Sequence, residues 1–242
     1  MKPSINRFAF DYLPDTGYSF SRTRGLESFT SVVSLYGVTG DRMEQSTSFN
    51  SGGLIIEGLL ERIPGDRGVV VTHPHPLYGG NMFNPVVKAV SNSYRDKGYS
   101  TLRINFRGVG ASGGKYENGV GEQEDVLSAL SYMNKLGISS MDLAGYSFGT
   151  YVNIGALKNC LNVQKMIMVS PPVAFMEFGL PSPLTCLKLV ITGSRDEIAP
   201  VASVKKYILQ WNPEAELEVI EGADHFYAGY LKKLEEILSR HI

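Results

Sequence analysis

Met141-Asp142-Leu143-Ala144-Gly145-Tyr146-Ser147-Phe148-Gly149-Thr150 decides the fold of this 242-residue chain. A largely apolar run suited to a buried strand gives way to Gly-x-Ser-x-Gly, and a helix-like pattern begins near Thr150. A serine at such a strand-to-helix corner sits in a strained turn with its hydroxyl thrust out of the sheet. Side chains two residues away on either side would collide with the neighbouring strand and helix. Glycine at 145 and 149 removes them.

The same rhythm continues on both sides of this corner. Strand-like runs are Leu54–Leu60, Gly68–His73, Ser100–Asn105, Ser140–Tyr146, Lys165–Ser170, Lys188–Thr192 and Glu216–Ile220. Val69-Val70-Val71 and Met166-Ile167-Met168-Val169 are apolar without alternation, as in parallel strands covered on both faces. Helical spacing marks Glu122–Leu136 through Val126, Leu127, Leu130 and Met133, with Gly137 as the stop. It also marks Tyr230–Ile242, through Leu231, Leu234, Ile237 and Leu238. Strand and helix in alternation predict an α/β fold, an open, doubly wound, mostly parallel sheet with helices on both faces.

Residues 1–42 mix aromatics, serine, glycine and arginine without either period, and read as an irregular N-terminal extension. Met43 opens the first strand of a domain running over 43–242. Hydrophobic residues at 43% and charged residues at 19% are ordinary globular values, and the formal charge is -1. That balance argues against nucleic acid and membrane as partners. Neither a signal-peptide core nor a membrane-length apolar run is present, so a cytoplasmic setting is expected. Cys160 and Cys186, the two cysteines, read as buried apolar fillers.

Ser147 needs a base, because a free serine hydroxyl is a poor nucleophile. Of the four histidines, His225 follows the last strand in Gly222-Ala223-Asp224-His225-Phe226. Loops at the carboxyl ends of parallel strands are where sites in open α/β sheets assemble. Asp196 occupies the equivalent loop after Lys188–Thr192, and a carboxylate there can hold the imidazole in its working tautomer. His73 and His75 could share a strand face as metal ligands, but no Glu-x-x-His or third histidine accompanies them. No metal is expected.

The order Ser147, Asp196, His225 resembles that of the α/β-hydrolase superfamily. Asn105-Phe106-Arg107-Gly108-Val109-Gly110-Ala111-Ser112-Gly113 is similar to the Arg-Gly-x-Gly-x-Ser loop of these proteins. His73-Pro74-His75-Pro76-Leu77-Tyr78-Gly79-Gly80 looks like the His-Pro turn of a compact bacterial subgroup related to dienelactone hydrolases and small carboxylesterases. The resemblance runs from about Met43 to the C-terminus. It implies an oxyanion hole, with one N–H from Phe148 and one from the His73–Gly80 turn. Pro74 and Pro76 have no N–H, which leaves His75 and Leu77, of which His75 is preferred by likeness to the related His-Gly-x pattern. Many relatives insert a helical cap where this chain has only Pro171–Pro183, so no large cap domain is expected. Ser147 stands where haloalkane and epoxide branches carry aspartate.

The expectation is a serine hydrolase cleaving small or compact carboxylic esters through an acyl-enzyme, with a small-molecule acyl substrate and no cofactor. Rival readings are a thioesterase- or aminopeptidase-type hydrolase and a non-catalytic binding protein on the same fold. The sequence leaves a homodimer open.

Overall fold

The protein is described from a computed structural model, over residues 44–157, 163–179 and 183–242. The expectations for residues 1–42 and for Cys160 lie outside these residues. Cys186 is half-buried at the margin of the core, not enclosed as expected.

Strand β1 (Gln45–Ser51) turns back on β2 (Leu54–Glu61) through Gly52 and Gly53. Both glycines have positive φ, 55° and 89°, the geometry a two-residue hairpin needs to match strand twist. β2 then pairs antiparallel with β4 (Ser100–Ile104). All later pairings are parallel: β4 with β3 (Arg67–Thr72), β3 with β5 (Ser140–Tyr146), then β6 (Val163–Val169), β7 (Leu187–Gly193) and β8 (Glu216–Ile220). The order across the sheet is β1-β2-β4-β3-β5-β6-β7-β8. After β3 the chain steps to one side for β4 and returns to β3's other side for β5. Such a reversal opens a crevice at the carboxyl ends of the strands.

The apolar runs resolve into two alternating sets. Val69, Val71, Ala144, Tyr146, Ile167, Val169, Leu189 and Ile191 join one core with helices α1 (Pro85–Asp96) and α5 (Leu231–His241). Val70, Leu143, Met166, Met168 and Val190 join the opposite core, with α2 (Gly121–Lys135), α3 (Phe148–Leu157) and α4 (Val201–Trp211). Successive strand residues face opposite ways, so a strand between two helix layers has no polar face to show. Burying each such side chain contributes about 1.5–3 kcal/mol, which explains why the central strands carry so few polar residues.

Most expected elements are present with shifted ends. β3 stops at Thr72, leaving His73 in the loop, and β6 begins at Val163. Helix α3 begins at Phe148 and not near Thr150. Two helices, α1 and α4, are present beyond those that the helical spacing marks. α1 is started by Asn84, whose Oδ1 accepts from Val86 N–H at 2.9 Å, with Pro85 in the first turn. Between β6 and β7 the described residues form turns and no helix. No helix among the described residues is long and apolar enough to cross a membrane.

Candidate active site

Ser147 terminates β5 with φ 53°, left-handed backbone that costs a non-glycine residue about 1–3 kcal/mol. Its N–H donates to Val169 O at 2.9 Å, and its carbonyl accepts from Thr150 N–H and Oγ1. A Cβ on Gly145 would stand 2.7 Å from Asn153 Nδ2 and 2.9 Å from Gly149 C. One on Gly149 would stand 2.5 Å from Thr72 Oγ1. Both glycines are therefore steric requirements of a corner wedged between β3 and α3.

The loops after β7 and β8 bring two further side chains to Ser147. His225 Nε2 lies 2.9 Å from Ser147 Oγ, and His225 Nδ1 lies 2.9 Å from Asp196 Oδ2 and 3.0 Å from Oδ1. Asp196 also accepts from Ile198 N–H, Ala199 N–H and the Ser170 hydroxyl. Burial works to raise the Asp196 carboxyl. The hydrogen bond and charge of His225, with Ser170 and the Ala199 N–H, outweigh it and hold the group below its ordinary value. An ionised carboxylate only accepts, so His225 Nδ1 carries the proton and Nε2 is free to accept from Ser147. Ser147, His225 and Asp196 are 7%, 6% and 3% exposed, a setting in which these hydrogen bonds meet little competition from water.

The turn after β3 lies against the same corner. His73 is buried, which lowers it to about 4 and keeps it neutral. Its Nε2 accepts from Phe106 N–H at 3.0 Å and its Nδ1 donates to Pro74 O at 2.6 Å. With both nitrogens engaged, His73 fastens the β3 turn to the loop after β4. The His75 ring lies 4.7 Å from that of Phe148. Leu77 N–H, the alternative oxyanion donor, is spent on His75 Nδ1 at 3.2 Å. His75 Nε2 then donates to Tyr116 Oη at 3.0 Å. The backbone N–H groups of His75 and Phe148 donate to no protein acceptor among the described residues.

The Arg-Gly-x-Gly-x-Ser stretch serves as a brace. Arg107 donates to the buried Asp125 from its backbone and its guanidinium. Ser112 Oγ accepts from Glu57 N–H and donates to Asn105 O. Ser170, Tyr227, Tyr146 and Tyr116 all join this site without having been singled out in the sequence. Ser170 offered one faint signal: it closes an apolar strand run as Ser147 does.

No family model matches the chain. An uncharacterized protein of Rickettsia prowazekii is 36% identical over 171 residues, 65% of this chain and 71% of that one. The solved structure of an α/β serine hydrolase homologue from Coxiella burnetii is 34% identical. It matches 82% of this chain and 97% of its own, with a TM-score of 0.77. An α/β serine hydrolase without lid from Xanthomonas campestris is 26% identical, with a TM-score of 0.75, over 85% of this chain and 96% of its own. Sheet, corner and loops are those of a hydrolase scaffold. The chain belongs to the α/β-hydrolase superfamily.

Proposed function

We propose that the protein is a serine hydrolase that cleaves small or compact carboxylic esters through an acyl-enzyme. The observation that carries the reading is the unbroken hydrogen-bonded line Ser147 Oγ–His225 Nε2, His225 Nδ1–Asp196, made by residues from three separate loops. Ser147 Oγ attacks the ester carbonyl while His225 Nε2 takes its proton, and Asp196 stabilises the imidazolium. The oxyanion is held by Phe148 N–H and His75 N–H. His225 returns the proton to the departing alcohol. Water, deprotonated by His225 in turn, attacks the acyl carbon and releases the acid with Ser147 restored.

A fluorophosphonate probe tests the reading: labelling at Ser147 is expected, and Ser147→Ala should abolish it and lower ester hydrolysis roughly 10⁶-fold. Undiminished labelling of Ser147→Ala would overturn it. Rates on matched esters, thioesters and aminoacyl amides separate the ester from its rivals.

A further inference from the structure

Beyond Asp196 the hydrogen bonds continue. Ser170 Oγ lies 2.6 Å from Asp196 Oδ2, and Tyr227 Oη lies 2.7 Å from Ser170 Oγ. The direction is forced. An ionised Asp196 can only accept, so the single Ser170 hydroxyl proton goes to it, and Tyr227 must donate to Ser170. Ser170 and Tyr227 are both 0% exposed, so no bulk water competes for these bonds. Burial raises the Tyr227 hydroxyl far above its ordinary value, and it remains a donor throughout the working range of pH.

The backbone carries a second, independent mark. Among the described residues, Asn118, Ser147, Ser170 and Tyr227 are the non-glycine residues with positive φ. Asparagine tolerates that region; serine and tyrosine visit it only at a cost. The other three belong to one hydrogen-bonded chain. Ser170, at φ 47°, is held by its N–H to Ile191 O, and Tyr227, at φ 56°, by its N–H to Asp224 Oδ1. Such strain persists where the surroundings over-determine it. Here what they over-determine is the line of hydroxyls aimed at Asp196.

We propose that Tyr227 and Ser170 form a positioning relay that fixes Asp196 Oδ2, and through it the His225 imidazole, for proton transfer at Ser147. The relay rests on the reading of Ser147, His225 and Asp196 as the reacting groups. Neither hydroxyl touches substrate. Ile198 and Ala199 N–H groups restrain Oδ1, whereas Oδ2 has Ser170 as its partner besides the imidazole. Loss of the Ser170 hydroxyl frees the carboxylate to turn about its Cβ–Cγ bond and slackens the ring it holds.

The test uses the full chain with Tyr227→Phe, Ser170→Ala and the double variant, and Ser147→Ala as reference. The readouts are kcat and KM on p-nitrophenyl acetate, Tm, and the low-field proton NMR resonance of the His225 Nδ1–H. Ser170→Ala is expected to lower kcat roughly ten- to a hundredfold and Tyr227→Phe about tenfold, with KM moving less than about twofold. The double variant should match Ser170→Ala, because Tyr227 acts only through Ser170, and the resonance should shift or broaden in each. Ser170→Gly, which relieves the positive φ while removing the same hydroxyl, replaces Ser170→Ala if that variant does not fold. Wild-type kcat and an unshifted resonance in folded variants, with Tm alone reduced, would overturn the relay. So would losses in kcat that multiply in the double variant. Retained activity in Ser147→Ala would instead overturn the hydrolase reading, and the resonance would still report on the relay.

Discussion

Tyr146 Oη donates a 2.8 Å hydrogen bond to the backbone carbonyl of His225, and the two rings lie 5.5 Å apart. Tyr146 also immediately precedes Ser147, so one side chain anchors both partners of the Ser147–His225 hydrogen bond. Burial raises its hydroxyl well above the ordinary tyrosine value, which keeps it a donor. Tyr146→Phe leaves the His225 carbonyl without this partner. The expected outcome is a loss of about 1–2 kcal/mol in stability by chemical denaturation, together with a several-fold fall in kcat. Unchanged stability would mean that another donor replaces the phenol.

Asp196 and its neighbour Glu197 offer a sharper contrast. Asp196 is buried among four donors, whereas Glu197 is exposed. Asp196→Asn can no longer fix the proton on His225 Nδ1, and kcat should fall by about 10⁴-fold with the fold retained. Glu197→Gln should leave kcat unchanged. Steady-state rates with circular dichroism check both, and the reverse result would move the acid by one residue.

Asp142 and His73 bear on stability through their protonation. Burial, only partly offset by Lys165, Tyr94 and Arg67, raises the Asp142 carboxyl to about 6. Its folded pKa therefore exceeds the unfolded one near 4. The proton it keeps in the folded state favours folding below about pH 4, and that advantage is lost as pH rises through about 6. His73 has the opposite sign. Lowered to about 4 by burial, it favours folding above about 6.5, and this is lost as pH falls toward 4. The two windows overlap and oppose each other, so the wild-type curve alone hides both. The stability of Asp142→Asn minus that of wild type should climb between pH 4 and 7, read from urea midpoints. A flat difference would show that Asp142 keeps an ordinary pKa.

The sequence carried the fold well because the two alternating core sets are local facts: Val69-Val70-Val71 and Met166–Val169 announce buried strands by composition alone. Helices α1 and α4 were harder to see. The buried face of α1 includes the polar Ser91 and Ser93, and that of α4 rests on three residues alone, Val204, Ile208 and Trp211. Ser147, Asp196 and His225 were readable as candidates because each follows a strand-like run at its carboxyl end. Ser170 and Tyr227 were not. Their link to Asp196 joins positions 26 and 57 apart in the chain, and a lone serine and a lone tyrosine carry no pattern of spacing. The Arg107 loop was readable as a motif, but its ties to Asp125 emerge only when α2 is packed in place.

Substrate length gives the last prediction. Leu77, Tyr78, Phe175 and Phe226 lie on loops at the carboxyl edge of the sheet and are 68%, 77%, 71% and 55% exposed. Tyr78 lies tilted against His75, and Phe226 meets His225 edge-on, so this apolar rim reaches the Ser147 corner from two sides. Nothing among the described residues of the β6–β7 connection forms a helix that would roof it. A methylene enclosed by protein gains about 0.8 kcal/mol, nearly fourfold in binding, whereas one left in water gains almost nothing. Lengthening the acyl group of p-nitrophenyl esters from acetyl to butyryl should therefore raise kcat/KM several-fold, the first methylenes being the ones nearest the buried Ser147 corner. Extension from hexanoyl to palmitoyl should add little, since those carbons pass over a rim open to solvent. A steady rise in kcat/KM to the longest chain would overturn this reading and require an enclosed acyl channel at Ser147.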